Sequence, residues 1–342
     1  MSSSSSSGGR FRLGLCRLAL APLLALSSPA WAAEDPLRFE LPVDCRVGET
    51  CTIQNYFDHD PGPGRKDYTC GQLSYDGHDG TDFRVPNLPA MAAGVAVVAA
   101  APGTVLRVRD GMEDVSVREI GRAALEGRDA GNGVVIDHGD GWETQYSHLK
   151  NGSVSVEPGQ RVSAGEPLGL IGLSGNTEFP HVHFSLRYRG EELDPFVGQA
   201  GFQDCAGPRE PLWSERALSQ LDYQATGLLG AGFAAGPIAA ETAREGRFPT
   251  GSLDATAPAL VFWADVFGVA EGDRQRIEIL GPDGQAILDH ESALESSKVI
   301  WFAYGGKKRK GARWPSGTYR GRYSLSRDGE TVAAAERTIE VR

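Results

Sequence analysis

A short stretch with two histidines constrains this chain more than any other feature. Over residues 181–186 polar and apolar side chains alternate, which is the period of a half-buried β-strand. His181, His183 and Ser185 would then share one face, with Cα atoms of the two histidines about 6.6 Å apart. That spacing suits one metal ligand and one neighbour that contacts a water molecule on the metal. The alternative is a pair of solvent-facing strand histidines.

A second stretch strengthens the metal interpretation. His78 and Asp82 lie four residues apart, and Gly80 between them allows a tight turn that brings both side chains to one point. Two histidines and one aspartate are a ligand set of catalytic zinc, which keeps a fourth position for water, whereas structural zinc takes four ligands. Alone, this stretch is equally typical of a surface turn rich in Asp and Gly. On one β framework with His181 and His183, it predicts a Zn²⁺ site.

Composition sets the fold class. The 342 residues include 44 Gly and 20 Pro, and apolar runs are short, which favours a mainly β, turn-dense chain of about two domains. A formal net charge of −11 argues against a general nucleic-acid-binding protein.

Residues 1–32 have the pattern of a secretion signal. Arginines precede the apolar run 18–26, and Ala30-Trp31-Ala32 matches a small-x-small cleavage site. The apolar run is too short for a stable membrane span. We therefore expect an exported protein, periplasmic or secreted; the alternative, a buried N-terminal helix, does not account for the arginines.

Removal of that segment leaves four cysteines, which in an exported chain predict two disulfides with three connectivities. We expect Cys45–Cys51, which closes a short loop, and Cys70–Cys205, which ties the ends of the first domain. Zinc binding by cysteines is the alternative, but no Cys-x-x-Cys unit is present.

The segment between the two histidine stretches predicts a hairpin and a rim. Asp140-Gly141 is a hairpin turn signal, and on the strand that follows it Thr144, Tyr146 and His148 should alternate onto one face. Residues 109–131 form a long polar excursion with a helical turn or two at 117–125. Because such loops are often functional, we expect a rim or lid of a cleft there.

Six short motifs in this order resemble the LytM/lysostaphin family of zinc metallopeptidases over about residues 70–197. The motifs are His78-x-Gly80-x-Asp82, Gly131-Asn132-Gly133, Tyr146-Ser147-His148-Leu149, Gly159-Gln160-x-Val162, Gly169-x-Ile171-Gly172 and His181-x-His183-Phe184.

The resemblance implies a small antiparallel β-sheet domain that hydrolyses peptide bonds in the cross-links or stems of bacterial peptidoglycan. It implies that His78, Asp82 and His183 bind the zinc ion and that His148 and His181 are catalytic without being ligands. Phe179 departs from the family pattern, because many relatives have glycine before the proline, and this bears on the shape of the groove.

The rest of the chain lies outside the resemblance. We expect a peptidase domain at 33–205, a linker or short helix at 206–255 with a strand as the alternative for 225–240, and an accessory domain at 256–342. Five candidate strands with turns at regular spacing predict a β-sandwich of immunoglobulin-like type there. They are Ala259–Phe267, Arg276–Leu280, Val299–Tyr304, Gly317–Leu325 and Ala333–Val341.

A basic cluster at 307–310 leaves two interpretations open. It is the tip of a charged hairpin, or it contacts an anionic polymer or an envelope protein.

Two functional hypotheses from different classes remain. The first is an exported zinc endopeptidase acting on peptidoglycan, and the second is a catalytically silent relative that binds and activates other wall hydrolases. The presence of every matched ligand and catalytic histidine favours the first. A zinc protease for Gly-rich proteins or a secreted lysin is a third variant within the enzyme class.

Overall fold

Antiparallel β-strands are the main regular elements of the structure, a computed structural model that describes residues 8–10 and 37–342. Apart from residues 8–10, the predicted signal segment lies outside the described residues. No helix in the described part is both long and apolar enough to cross a membrane.

An eight-stranded sheet carries the histidine stretches. Its order is β1-β2-β9-β6-β5-β4-β7, with β10 paired to β9. A separate two-stranded sheet consists of β3 (Ala96–Val98) and β8 (Pro167–Leu170). The main sheet contains β1 (Thr52–Asn55), β2 (Thr81–Arg84), β4 (Gly103–Arg109), β5 (Asn132–Gly139), β6 (Trp142–Leu149), β7 (Arg161–Val162), β9 (His181–Tyr188) and β10 (Glu191–Leu193).

The helices are short and lie between strands. The predicted helical turns in the excursion 109–131 are confirmed as α2 and a 3₁₀ turn. The helices are α1 (Leu88–Ala93), α2 (Val117–Ile120), the 3₁₀ turn Arg122–Leu125, α3 (Glu215–Leu218) and α4 (Ala240–Arg244).

The predicted alternation along β9 is confirmed. Val182, Phe184 and Leu186 are fully buried in the core of this first part of the chain. Their burial fixes the register, since a slip by one residue would turn both histidines into the core. Asp82 on β2 lies opposite His183, so the register also brings the two histidine stretches together.

The β5–β6 hairpin is confirmed, but one prediction about its second strand is wrong. Asp140 and Gly141 have φ of 52° and 89°, as a type I′ turn requires. Tyr146 packs against Phe184 in the core, whereas His148 lies beside His181 on the opposite face of the sheet. The reason is the left-handed backbone of His148, with φ of 63°, which breaks the alternation expected of a regular strand.

The second part of the chain is a sandwich of two sheets, of order β11-β13-β16 and β12-β18-β17-β14-β15. Phe262 on one sheet and Tyr323 on the other share one buried core, as the sequence predicts. The strands are β11 (Gly227–Ala234), β12 (Ser252–Leu253), β13 (Ala259–Val269), β14 (Arg274–Leu280), β15 (Ala286–Ala293), β16 (Lys298–Lys308), β17 (Gly317–Arg327) and β18 (Glu330–Val341).

Three strands lie outside the predicted set, namely β11, the two-residue β12 and β15. The segment β11 lies within 206–255, where a linker or a short helix was the main expectation, and it pairs along its length with β13. Its glycines serve packing, because a Cβ at Gly232 would lie 3.0 Å from the Trp263 ring. The five predicted strands omit β15, whose exposed polar side chains give no buried-strand pattern.

Both expected disulfides, Cys45–Cys51 and Cys70–Cys205, are present. The second closes a sequence separation of 135 residues and joins the two ends of the first part of the chain.

The two parts also pack against each other. Leu229 and Phe267 of the sandwich are buried in the same core cluster as Phe184, and Val299 and Ile300 pack against that cluster. The sandwich therefore contributes side chains to the core of the part that carries the histidines.

Candidate metal centre

His78, Asp82 and His183 meet at one buried point. His78 lies just before β2, Asp82 is within β2, and His183 is opposite Asp82 on β9. The Asp82 Oδ1 atom lies 3.1 Å from His78 Nε2 and 2.9 Å from His183 Nδ1, and the two nitrogens are 3.1 Å apart. No other His, Cys, Asp or Glu joins this three-residue group within residues 37–342.

These distances fit one zinc ion. Zinc bonds of about 2.0–2.1 Å at tetrahedral angles place neighbouring ligand atoms about 3.3 Å apart. The three separations, 3.1, 3.1 and 2.9 Å, are close to this value. The donor types, two imidazole nitrogens and one carboxylate oxygen, are also those of a catalytic zinc site with one position left for water.

Hydrogen bonds fix the nitrogen that each ligand histidine turns to the centre. His78 donates its Nδ1 proton to the carbonyl oxygen of Tyr56 at 2.7 Å, which leaves a lone pair on Nε2. His183 has its Nε2 atom 3.0 Å from a carboxylate oxygen of Asp79 and 2.9 Å from the Ser185 hydroxyl. Partners of this kind orient metal-binding imidazoles and raise their basicity.

Asp82 is held by a neighbour on β1. Its second carboxylate oxygen accepts a hydrogen bond from Asn55 Nδ2 at 2.8 Å, so Oδ1 is directed to the centre. Burial alone would raise the pKa of Asp82, but the charges of His78 and His181 and the hydrogen bonds of the histidines hold it well below the usual value. The carboxylate is therefore ionised at neutral pH, as a metal ligand must be.

His148 and His181 flank the group without belonging to it. Their ring centres are 4.7 Å apart, and His181 Nε2 lies 3.4 Å from Asp82 Oδ1. His148 donates Nδ1–H to the carbonyl oxygen of Ser174 at 2.7 Å, and His181 donates Nδ1–H to that of Phe179 at 2.9 Å. Both side chains thus keep Nε2 free of main-chain partners.

The flanking His148 and the donor His183 differ in their protonation. Burial lowers the pKa of His148 well below its usual value, and the neighbouring His181 and His183 lower it more. Burial also lowers the pKa of His183, but hydrogen bonds to Asp79 and Asp82 outweigh it and raise the pKa to about 9. Metal binding at neutral pH would therefore displace a proton from His183.

Gly80 is required for a reason other than the tight turn expected from sequence. A Cβ there would lie 2.5 Å from the carbonyl oxygen of Phe184 and 2.7 Å from His183 Nε2. Glycine lets the His78–Asp82 loop lie directly against β9.

Open cavities lie on both sides of His148. One, of about 240 Å³, is lined by His183, Asp79 and Gln145, and the other, of about 810 Å³, reaches Asp82 and His181. The rim predicted within residues 109–131 lines the larger cavity: Arg118 lies there and pairs with Glu178 at 2.6 Å and with Glu241 of α4 at 3.3 Å. Phe179, the departure noted in the sequence, and Val299 of the sandwich also line it.

Sequence reasoning missed three of the side chains that support the centre, namely Asp79, Asn55 and Ser185. Asp79 is adjacent to a ligand and Ser185 follows the two histidines on the same face of β9, so the sequence carried a signal for both. Asn55 is 27 residues from Asp82, and only the β1–β2 pairing brings it to the carboxylate.

Two other charged clusters have local partners. His59, which lies between two aspartates, is 2.8 Å from a buried carboxylate oxygen of Asp194 and stacks on Phe202. Lys307 and Lys308 end β16, and Arg309 bonds to the carbonyl oxygen of Ala312 at 2.6 Å in the connection that follows. This connection joins β16 in one sheet of the sandwich to β17 in the other sheet, so the cluster is not the tip of a hairpin and that interpretation is wrong.

A three-donor group with two flanking histidines on a small antiparallel sheet has the composition of a mononuclear catalytic metal centre. Residues 76–195 match the model of Peptidase family M23. The match includes the three donors and both flanking histidines.

Individual relatives match only this segment. Peptidoglycan DD-endopeptidase ShyA of Vibrio cholerae is 34% identical over 117 residues, which is 34% of this chain and 22% of that protein. Murein hydrolase activator EnvC of Escherichia coli is 34% identical over 95 residues, or 27% of this chain and 22% of that protein. A crystal structure of a zinc-containing peptidase from Vibrio cholerae is 28% identical with a TM-score of 0.31, covering 46% of this chain and 39% of that one. The chain thus spans about a fifth of the length of these two curated relatives.

Proposed function

We propose that this protein is an exported, zinc-dependent endopeptidase that hydrolyses peptide bonds in the cross-links or stems of bacterial peptidoglycan. The observation that carries the proposal is the convergence of His78, Asp82 and His183 at ligand–ligand distances, with His148 and His181 beside them.

The three donors would hold Zn²⁺, and the flanking histidines would move protons. Bound zinc supplies Lewis-acid activation of water and of the scissile carbonyl. His148 is suited to accept a proton, because burial keeps its ring neutral and its Nε2 carries the lone pair. His181 Nε2, beside the Asp82 carboxylate, is suited to stabilise negative charge on the substrate and to donate a proton to the leaving amine.

The substrate class rests on the family match and on the relatives. ShyA is a peptidoglycan DD-endopeptidase, which supports a peptide of the bacterial wall as the substrate of this chain as well. Two disulfides support an oxidising compartment outside the cytoplasm. In this proposal residues 33–205 are the peptidase domain and the sandwich is an accessory domain that shapes one end of the groove through Val299.

The alternative is a silent activator of other wall hydrolases. The similarity to EnvC, a murein hydrolase activator, is the observation in its favour. The complete set of candidate ligands, each with a hydrogen-bond partner that orients it, favours the enzyme.

Digestion of purified peptidoglycan tests the proposal and separates the two candidates. The full protein should release muropeptide fragments, a chelator should stop the release, and added zinc should restore it; the masses of the fragments identify the bond. His183→Ala should lose zinc and activity together, while His290→Ala, an exposed histidine of the sandwich, should keep both.

Two outcomes would reject the enzyme. Equal zinc content in His183→Ala and wild type removes His183 from the ligand set. A protein that releases nothing alone but accelerates a second, added wall hydrolase is the activator.

A further inference from the structure

A buried arginine next to the metal centre has no counter-charge. Arg84 is on β2, two residues after Asp82 and opposite His181, and its side chain is 1% exposed. The guanidinium donates through Nη1 to Gln54, while Nε and Nη2 find no hydrogen-bond partner within residues 37–342. A buried charge without a partner is costly, so native proteins rarely leave one.

Neighbouring groups do not neutralise it. Asp265 of β13 is near enough to act on Arg84 electrostatically, but Arg244 already holds both oxygens of that carboxylate at 2.7 and 2.8 Å. In a bidentate arginine–carboxylate pair of this kind, the charge of the carboxylate is already balanced by its own arginine. An anion that is not one of the described residues would therefore balance the charge on Arg84.

Arg84 lines a cavity that has room for such an anion. The cavity, of about 600 Å³, lies between the β1–β2 edge of the main sheet and the sandwich, and we call it the seam cavity. A second arginine, Arg337, lines it, together with the polar side chains of Thr52 and Gln224. Glu49 is the one acidic residue of the lining, and it is exposed and paired with Arg46 at 3.0 Å.

We propose that the seam cavity binds a small oxyanion, a carboxylate or a phosphate, through the guanidinium of Arg84, with Arg337 as the second cation. The planar guanidinium presents two N–H groups in the geometry that such oxyanions accept. Phe179 separates this site from the metal centre, since its ring lies 4.6 Å from the guanidinium carbon on one side and 4.6 Å from the His181 ring on the other. The site is distinct from the zinc ligands and does not depend on the proposed hydrolysis.

Oxyanion binding by the full protein tests the site. Because zinc itself can bind oxyanions, the titrations use both wild type and His183→Ala. Sodium phosphate and N-acetyl-alanine are the two probes, with sodium chloride at matched ionic strength as the blank. The readouts are the shift of the melting temperature and the affinity by calorimetry.

We expect a saturable shift of the melting temperature in both proteins. The affinity should be at least tenfold weaker after Arg84→Gln. It should be unchanged after Arg276→Gln, which makes the same change of charge on an exposed strand. Saturation by phosphate alone assigns the ligand as a phosphate, and saturation by both probes as any small oxyanion.

Several results would overturn the site. Absence of saturation in wild type and His183→Ala, or full affinity in a folded Arg84→Gln variant, excludes it. Should Arg84→Gln fail to fold, Arg337→Gln replaces it: a loss of affinity of severalfold supports the seam cavity, and an unchanged affinity places the anion elsewhere.

Discussion

His148 donates its Nδ1 proton to the main-chain carbonyl oxygen of Ser174 at 2.7 Å. Ser174 is itself fixed, because its hydroxyl accepts the amide proton of Asn132 at 2.9 Å and donates to the carbonyl of Leu149 at 2.8 Å. Gly131 packs directly on the Ser174 main chain, where a Cβ would clash. The Gly131-Asn132 motif thus holds the residue that sets the tautomer of His148.

His148→Ala should keep zinc and lose turnover. The side chain is outside the three-donor group, so metal content should equal that of wild type, whereas loss of a positioned proton acceptor lowers the rate by about 10²–10⁴-fold. Zinc content by elemental analysis and initial rates on purified peptidoglycan check this, with His290→Ala as the matched control. Normal turnover in His148→Ala would remove this residue from the mechanism.

Asp79→Asn should weaken metal binding without removing a ligand. Asp79 accepts from His183 Nε2 at 3.0 Å, and such a hydrogen bond orients the ring and raises its basicity. We expect zinc affinity to fall by about 10–100-fold in competition with a chromogenic chelator. Asp76→Asn, the same change on an exposed neighbour, should leave affinity unchanged. Equal affinities in both variants would show that Asp79 does not support the centre.

The sequence predicted the parts of the site that depend on short-range pattern. The alternation around His183 defines both the face on which it lies and the register of β9. The spacing from His78 to Asp82 brings both side chains to the centre because Gly80 permits close contact between their loop and β9. Each of these features depends on residues that are close together in the sequence, so a single sequence is enough to predict them.

What the sequence could not predict depends on long-range contacts or on local departures from regular structure. The orientation of His148 follows from its left-handed backbone, which no alternation pattern shows. The contact between Asn55 and Asp82 needs the β1–β2 pairing, and the place of Val299 in the groove needs the packing of the sandwich on the main sheet. Exposed polar strands such as β15 carry no burial pattern at all.

Removal of each disulfide should lower the free energy of unfolding by a different amount. Cys70–Cys205 spans 135 residues and Cys45–Cys51 spans 6. If a cross-link acts mainly by restricting the unfolded chain, the long loop contributes about 5 kcal/mol to the free energy of unfolding and the short loop about 2 kcal/mol. Denaturant unfolding of the two double Cys→Ser variants measures the difference. Equal losses would contradict a loop-entropy origin, and a free thiol at Cys205 in non-reducing mass mapping of the wild type would contradict the bridge itself.

The pair of Asp273 and Arg327 should make the stability of the sandwich depend on pH. Both oxygens of Asp273 accept from Arg327 at 2.8 Å, and the carboxylate is buried while the arginine is partly exposed. Burial alone would raise the pKa of Asp273, but Arg327 and the amide of Ala270 outweigh it and hold the pKa below the usual value. The stabilisation is therefore complete above the unfolded-state pKa of about 3.9 and is lost as the pH falls through the lower folded-state pKa.

Arg327→Gln should accordingly lose about 2 kcal/mol of unfolding free energy at pH 7, less than for a fully buried pair because Arg327 reaches solvent. The deficit should shrink below about pH 4, because the unpaired Asp273 of the variant is protonated there, while the ion pair of the wild type loses its contribution as the pH falls towards the lower folded-state pKa. Arg276→Gln breaks an exposed pair with Asp289 and should cost less than about 1 kcal/mol. Urea unfolding of the three proteins at pH 7 and pH 3 provides the comparison. A deficit in Arg327→Gln that is as large at pH 3 as at pH 7 would show that the arginine stabilises the sandwich by packing and not by its charge.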